Sequence, residues 1–220
     1  MLNVTDLNAI KEAALKLLDT PIIHNQTLPI IHHPFYDPYT NEEEIPKYKE
    51  LFTKKIMNAD NYISICVLTN KPFRPRLFAR THEYLSIEDF SHALAYIWKS
   101  VEFPNRSEDI TTFRFMHHFK AADKTILMDE DELKIFNELP DEFTVYRGYN
   151  SYGRLEALSW TLDKERAEWF AGRFGGETAV VEAKIKKEYV FAYFSNESEV
   201  VINFNRITNL KMLKHTDDTK

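Results

Sequence analysis

The fold is decided by the stretch PDEFTVYRGY, residues 140–149, where the pattern of the sequence changes. From Glu142 to Tyr149 apolar and polar side chains alternate, which is typical of a half-buried β-strand. Before Pro140 the apolar residues recur mainly at intervals of three and four, which is typical of amphipathic helices. Helices first and strands afterwards predict an α+β fold with a mostly antiparallel sheet.

Three further strands are predicted downstream of this stretch. Residues 178–185 alternate, residues 189–194 form a continuous apolar run, and residues 199–204 alternate again. A helix over 163–174 precedes them, because its apolar residues recur at helical spacing. The strand-rich region therefore extends over residues 141–214.

Residues 1–140 are predicted to form a mostly helical N-terminal portion of the same structural domain. Four residues can cap its helices through side-chain oxygens: Asp6, Ser86, Ser107 and Asp129. The last two would begin helices over about 108–121 and 130–138, and another helix follows Pro46. Residues 19–41 contain four prolines and predict an irregular loop.

The composition indicates a folded protein without a general attraction to polyanions. Of 220 residues, 44% are hydrophobic and 14% aromatic, which is ample for a core. The net charge of −6 disfavours binding to anionic membranes, and a nucleic-acid target would need a local basic patch. The single cysteine, Cys66, fits a reducing compartment and lies in an apolar run that predicts a buried, inert thiol. A cytoplasmic protein without a membrane span is expected.

Two polar clusters have simple interpretations. The adjacent pairs His32-His33 and His117-His118 point apart on a helix or strand, so no metal site is predicted. The basic residues Lys71, Arg74, Arg76 and Arg80 alternate with prolines and phenylalanines. A solvated loop is the simpler interpretation, and a site for the adenosine end of a dinucleotide or for an acidic target is the alternative.

All five glycines of the chain fall between Gly148 and Gly176. Glycine permits positive φ and close approach of the backbone to a ligand. A set of tight turns with a helix C-cap at Gly175 is the alternative. Unusual backbone geometry is therefore concentrated in one short region.

Arg147 is the best candidate for binding an anion. The chain has neither a Rossmann glycine fingerprint nor a P-loop, so a nucleotide site must use side-chain charge. Arg147 shares a strand face with Phe143 and Val145, so it points toward protein and requires an anionic partner. A structural ion pair is the commoner cause of this pattern.

Two further segments carry polar groups at the start of apolar runs. Ser159-Trp160-Thr161 leads into the predicted helix, where an N-cap is the simple interpretation. Glu197 and Glu199 stand at i and i+2, which places both carboxylates on one face of an extended segment. A solvated hairpin tip is the alternative for this acidic pair.

The three segments in this order resemble the arginine–serine–glutamate ADP-ribosyltransferases. The strand Tyr-Arg-Gly, the Ser-x-Thr before an Ala-x-x-Phe helix, and the aromatic-x-x-Glu-x-Glu-Val-Val-Ile segment carry the resemblance. The family includes bacterial toxins, vertebrate ecto-enzymes and phage-encoded proteins. The resemblance covers about residues 143–204. It implies a two-part β core of ADP-ribosyltransferase type, with NAD bound between the parts.

The resemblance implies a role for each matching residue on the NAD side. Arg147, followed by Gly148, would bind a phosphate of NAD. Ser159 would hold the catalytic glutamate and line the nicotinamide side, and Thr161 would shape the turn. Phe174 and Gly175 would belong to a loop over the nicotinamide end.

On the acceptor side, the resemblance makes Glu199 the catalytic glutamate, bonded to the ribose beside nicotinamide. Glu197 would prepare the acceptor, as in arginine-directed members, and Phe194 would contact the target. Two departures bear on the NAD contacts. The middle motif is Ser-Trp-Thr where the family usually has Ser-Thr-Ser, and only eleven residues separate Arg147 from Ser159.

The function so implied is mono-ADP-ribosyl transfer from NAD to a protein, with arginine as acceptor and without a metal. One alternative is an NAD glycohydrolase, in which water is the acceptor. The other is a binding or structural module that has the same fold and no turnover. The target protein is not identified by the sequence.

Overall fold

The computed structural model describes residues 2–24, 31–102, 109–150, 153–173 and 175–216. The chain forms two compact units, Met1–Thr111 and Thr112–Lys220. Ser107, a predicted helix cap, and Phe174, a predicted cofactor contact, lie outside the described residues.

The first unit is helical. Its α-helices within the described ranges are α1 (Leu7–Leu17), α2 (Ile45–Met57), α3 (Tyr62–Leu68), α4 (Arg74–Thr81) and α5 (Ile87–Ser100). Asp6 and Ser86 accept hydrogen bonds from the N–H groups of Ala9 and Asp89, which confirms both predicted caps. The predicted loop over 19–41 contains two short antiparallel strands, β1 (Ile23–His24) and β2 (Ile31–His32).

The prediction of a solvated loop around the basic residues of this unit is wrong. Arg74, Arg76 and Arg80 lie on α4, and Arg74 is buried. Its Nε donates to the carbonyl oxygens of Cys66 and Thr69 at 3.1 and 3.2 Å. Cys66 is itself buried, and burial raises the pKa of its thiol to about 12. The thiol is therefore protonated at neutral pH, as an inert cysteine is.

In its described residues, the second unit combines four α-helices with a six-stranded sheet. The helices are α6 (Thr112–Ala121), α7 (Lys124–Leu127), α8 (Glu130–Glu138) and α9 (Lys164–Gly172). The strands are β3 (Glu142–Asn150), β4 (Ser159–Thr161), β5 (Thr178–Lys186), β6 (Val190–Phe194), β7 (Glu199–Ile202) and β8 (Thr208–Thr216). Their order is β6-β7-β4-β3-β5-β8, and every neighbouring pair is antiparallel. The predicted α+β class is confirmed at this level.

Within the six-stranded sheet, β3 and β4 share the fewest paired residues. β3 pairs with β5 along its full length, whereas it pairs with β4 only at Tyr146 and Thr161. We call this single pair the β3–β4 junction. The two parts of the β core are therefore halves of one continuous sheet, β6-β7-β4 and β3-β5-β8.

Helix α9 packs against β3 and β5, with Ala167 and Ala171 buried against Val180 and Tyr146. Gly148 makes this close packing possible. A Cβ atom on Gly148 would lie 1.7 Å from the carbonyl oxygen of Ala167, which is far inside van der Waals contact. The glycine is therefore required by the spacing between helix and sheet.

Several boundaries differ from the prediction. Helix α9 ends at Gly172, and β7 ends at Ile202. Strand β8 follows residue 204, where the sequence pattern predicts no strand. Helices α6 to α8, which the sequence pattern places in the N-terminal portion, belong to the same compact unit as the sheet. None of the helices in the described ranges has the length and apolar character needed to cross a bilayer.

Candidate active site

Arg147 lies on β3, one residue beyond the β3–β4 junction, with its side chain partly buried. Its Nε donates to the carbonyl oxygen of Arg154 at 2.9 Å, and its Nη1 donates to that of Ser159. Burial lowers the pKa of Arg147 to about 10, although the Glu199 carboxylate acts to raise it. The guanidinium is therefore charged at neutral pH.

The contact between Arg147 and Ser159 follows from the divergence of β3 and β4. The carbonyl of Leu158 accepts from Ile202 on the β7 side, at 2.8 Å. Because carbonyls alternate along a strand, that of Ser159 points toward β3. The ladder with β3 stops at Thr161, and the guanidinium donates to the Ser159 carbonyl in place of a backbone N–H.

Glu199 is the first residue of β7 and is partly buried. It pairs with Thr161 on β4, while Ser159 pairs with Val201, two residues further along β7. Diagonal neighbours of this kind are about 7–8 Å apart. The Glu199 carboxylate also acts to raise the pKa of Arg147. Arg147, Ser159 and Glu199 lie on the three adjacent strands β3, β4 and β7.

Thr161 is buried and binds the turn that precedes Glu199. We call residues 195–198 the β6–β7 turn. The Thr161 hydroxyl lies 2.9 Å from the Glu197 carbonyl oxygen and 3.2 Å from that of Ser198, and it donates to them. The Leu162 N–H also donates to the Ser198 carbonyl, at 2.9 Å. Thr161, to which the resemblance assigns the shaping of a turn, therefore contacts the backbone of the β6–β7 turn.

Glu132 of α8, which none of the three motifs singles out, binds the opposite end of the β6–β7 turn. The Glu132 carboxylate accepts from the Ser195 N–H at 3.1 Å and from the Ser195 hydroxyl at 3.4 Å. It also completes a capping box with Asp129, the predicted cap of α8. The capping box has a sequence signal in the spacing of Asp129 and Glu132. The contact with Ser195, 63 residues away, has none.

Glu197 does not lie on the same strand as Glu199. Residues 195–197 form one turn of 3₁₀ helix, and Ser198 is left-handed with φ of 46°. The predicted extended segment that would place both carboxylates on one face is therefore wrong, because the strand begins only at Glu199. Glu197 is partly buried at the end of the 3₁₀ turn.

The glycines predicted to contact a cofactor have different structural roles. Gly148 packs closely against the backbone of Ala167 on α9, so its role is in helix–sheet packing. Gly175 has φ of 68° and Gly176 has φ of 81°, so backbone conformation favours glycine at both positions. Around Gly175 a Cβ atom would meet nothing within 4 Å, so this backbone is open. Phe174, which precedes it, lies outside the described residues.

Phe194 cannot contact a target in this conformation. It is the last residue of β6, pairs with Glu199, and has a side chain that is only 2% exposed. The expectation that it meets the acceptor is therefore wrong for the structure as described. Its burial has a simple cause, since it ends a run of five buried residues on β6.

Within the described ranges, no group of three or more His, Cys, Asp or Glu side chains is arranged to hold a metal ion. The chain matches no family model, no curated protein and no solved structure. The likeness to the ADP-ribosyltransferases thus depends on the three motifs, and membership of that family stays a prediction.

Proposed function

We propose that this protein cleaves the bond between nicotinamide and ribose in NAD and transfers ADP-ribose to a protein, with arginine as acceptor. One observation carries the proposal. Arg147, Ser159 and Glu199, which the three motifs single out, lie on the adjacent strands β3, β4 and β7, and the Glu199 carboxylate acts to raise the pKa of Arg147. Catalytic groups must converge in this way on one bound ligand.

Arg147 supplies the positive charge for the pyrophosphate of NAD. A guanidinium offers five N–H donors in a planar fork that suits phosphate oxygens. The carbonyl oxygens of Arg154 and Ser159 use two of these donors and fix the plane of the group. A guanidinium held in this way loses little conformational freedom when an anion binds.

Glu199 acts on the cleavage step. The electrons of the glycosidic bond move to the ring nitrogen of nicotinamide, which is cationic in NAD and leaves as a neutral molecule, so no general acid is needed. The ribose carbon develops the positive charge of an oxocarbenium ion. A fixed carboxylate stabilises this charge, and removal of such a group typically costs about 3 kcal/mol.

Glu197 acts on the transfer step. A guanidine nitrogen of the acceptor arginine forms a bond to the ribose carbon and loses a proton, which a carboxylate can accept. The β6–β7 turn ends one residue before Glu199, so Glu197 is two residues from the catalytic position. In arginine-directed members of the family, the residue that resembles Glu197 prepares the acceptor.

NAD hydrolysis is a second candidate, and the burial of Phe194 favours it. In the family, the aromatic residue at this position contacts the target, whereas Phe194 is inside the core. Water then takes the place of arginine at the same ribose carbon, and the cleavage step is unchanged.

The proposal is tested by incubating the protein with NAD labelled in the adenine ring and with a cell lysate. Release of nicotinamide and label on protein are followed in the same reaction, with Glu199→Gln as the inactive control. Both products support transfer, and nicotinamide alone supports hydrolysis. If wild-type protein yields neither, the contacts of Arg147 are purely structural and the enzyme assignment is overturned.

A further inference from the structure

The outer edge of β6 is covered by side chains from the segment 124–132. An edge strand presents N–H and C=O groups that need partners. Lys124 Nζ donates to the Val190 carbonyl at 2.8 Å, and the Met128 sulfur accepts from the Tyr193 N–H at 3.3 Å. Glu132 continues this series at Ser195, where the strand ends and the β6–β7 turn begins.

Both carboxylate oxygens of Glu132 are used. Oε2 accepts from the Asp129 N–H at 3.2 Å, and Oε1 accepts from the N–H and hydroxyl of Ser195. The residue is only 2% exposed. A buried carboxylate is costly unless hydrogen bonds compensate it, and these donors come from two separate elements. Glu132 therefore joins the start of α8 to the start of the β6–β7 turn.

The β6–β7 turn is short and held at both ends. Glu132 binds Ser195 at one end, and Thr161 binds the carbonyl of Ser198 at the other. Ser198 itself adopts the left-handed conformation, which is unfavourable for a residue with a side chain and persists where the surroundings fix it. A change at either end therefore alters the path of the backbone between them.

We propose that Glu132 is a positioning residue for the two glutamates, because it sets the β6–β7 turn, which contains Glu197 and leads directly into Glu199. This inference rests on the proposed function for its catalytic consequence. Glu132 acts through the backbone of Ser195 and does not meet the reacting atoms. A displacement of about 1 Å at catalytic groups costs up to about a hundredfold in rate.

The test compares Glu132→Ala with the matched control Asp129→Ala. Both variants remove one half of the capping box of α8, but only Glu132 also contacts the β6–β7 turn. Two quantities are measured: amide hydrogen exchange over residues 195–199 without NAD, and kcat and KM for nicotinamide release. Glu132→Gln is the third variant, since its amide keeps one acceptor oxygen and loses the other.

In Glu132→Ala we expect the amides of residues 195–199 to exchange at least about tenfold faster, because their anchor is lost. We expect kcat to fall about tenfold or more and KM for NAD to change less than about threefold, because Arg147 is untouched. Glu132→Gln should give intermediate values. Asp129→Ala should keep the turn protected and kcat within about twofold of wild type, although α8 is weakened by about 1 kcal/mol.

Equal effects of Asp129→Ala and Glu132→Ala would overturn the inference, because Glu132 would then serve only as a helix cap. If Glu132→Ala does not fold, Glu132→Gln is compared with Asp129→Ala on the same criterion. If the wild-type protein releases no nicotinamide, the proposed function fails, and the exchange measurement still decides whether Glu132 holds the β6–β7 turn.

Discussion

The two halves of the sheet differ in regularity. In the half β3-β5-β8, β3 and β5 pair along nine residues and support a packed helix. In the half β6-β7-β4, the strands have three to five residues, and a 3₁₀ turn with a left-handed residue joins β6 to β7. The first half is a scaffold for α9. The second contains the acidic groups of the candidate site.

The candidate site lies where the regular half ends. Arg147 belongs to the long strand β3, and Ser159 and Glu199 belong to the short strands β4 and β7. Backbone groups that lose ladder partners at the β3–β4 junction are bound by side chains instead, as Arg147 binds the Ser159 carbonyl. Where strand pairing is irregular, charged side chains bind the unpaired backbone groups. The same charged side chains are then available to bind a ligand.

Gly148→Ala should destabilise the regular half of the sheet, β3-β5-β8, and we expect it to have the largest effect. The new Cβ atom would overlap the Ala167 carbonyl oxygen, so α9 must move. We expect the free energy of unfolding to fall by about 3 kcal/mol or more. Gly172→Ala on the same helix is the control, because a Cβ atom there meets nothing within 4 Å. Urea denaturation of both variants measures the difference, and equal stabilities would contradict the packing role of Gly148.

Glu199→Gln tests the irregular half of the sheet, β6-β7-β4. This variant should remain folded and lose catalytic activity. The amide keeps the shape and removes the charge that faces the oxocarbenium ion. We expect nicotinamide release and transfer to fall at least about a hundredfold, or about 2.7 kcal/mol. Glu197→Gln should spare hydrolysis and abolish transfer to arginine. A parallel loss of both products in Glu197→Gln would remove the argument for an arginine acceptor.

Arg147→Ala should weaken NAD binding and loosen the β3–β4 junction together. Loss of a charged hydrogen-bonding partner of phosphate costs about 1.5–3 kcal/mol, so Kd should rise by about tenfold to a hundredfold. Arg147→Lys should restore only part of the affinity, because the planar fork is lost. Calorimetric titration with NAD checks both variants. Unchanged affinity in Arg147→Ala would assign the guanidinium to the structure alone.

Thr161→Val should have the smallest effect of these changes. It keeps the volume of the buried side chain and removes the hydroxyl that binds the carbonyls of Glu197 and Ser198. We expect a loss of about 1–2 kcal/mol in the free energy of unfolding. Thr161→Ser keeps the hydroxyl and is the control for lost methyl packing. If Thr161→Val is as stable as the wild-type protein, the hydrogen bonds of the Thr161 hydroxyl contribute nothing to the free energy of unfolding.

The parts of the fold that the sequence predicts are those with local causes. The caps at Asp6, Ser86 and Asp129 are predictable because a cap is decided within four residues. Strands β3 and β5 are predictable because their residues alternate. Strand β8 is not, because all nine of its residues are exposed at an edge and its pattern depends on β5.

The sequence predicts which residues form the candidate site, but it does not predict the contacts that hold the β6–β7 turn in place. The motifs single out Arg147, Ser159 and Glu199, and the register of β4 with β7 then places two of them as diagonal neighbours. The contact of Glu132 with Ser195 spans 63 residues and depends on tertiary packing. The same holds for Phe194, whose burial depends on what covers β6.

The single pair at the β3–β4 junction has a consequence for how a ligand and the sheet influence each other. Arg147 donates to the Ser159 carbonyl across the junction, and an anion bound by its remaining N–H donors would hold the guanidinium in that place. The anion would thereby support the one backbone pair, Tyr146 with Thr161, that joins the two halves. Binding of the anion and opening of the strand pairing at this junction would then be coupled equilibria. Exchange of the amides flanking the junction would report on ligand binding.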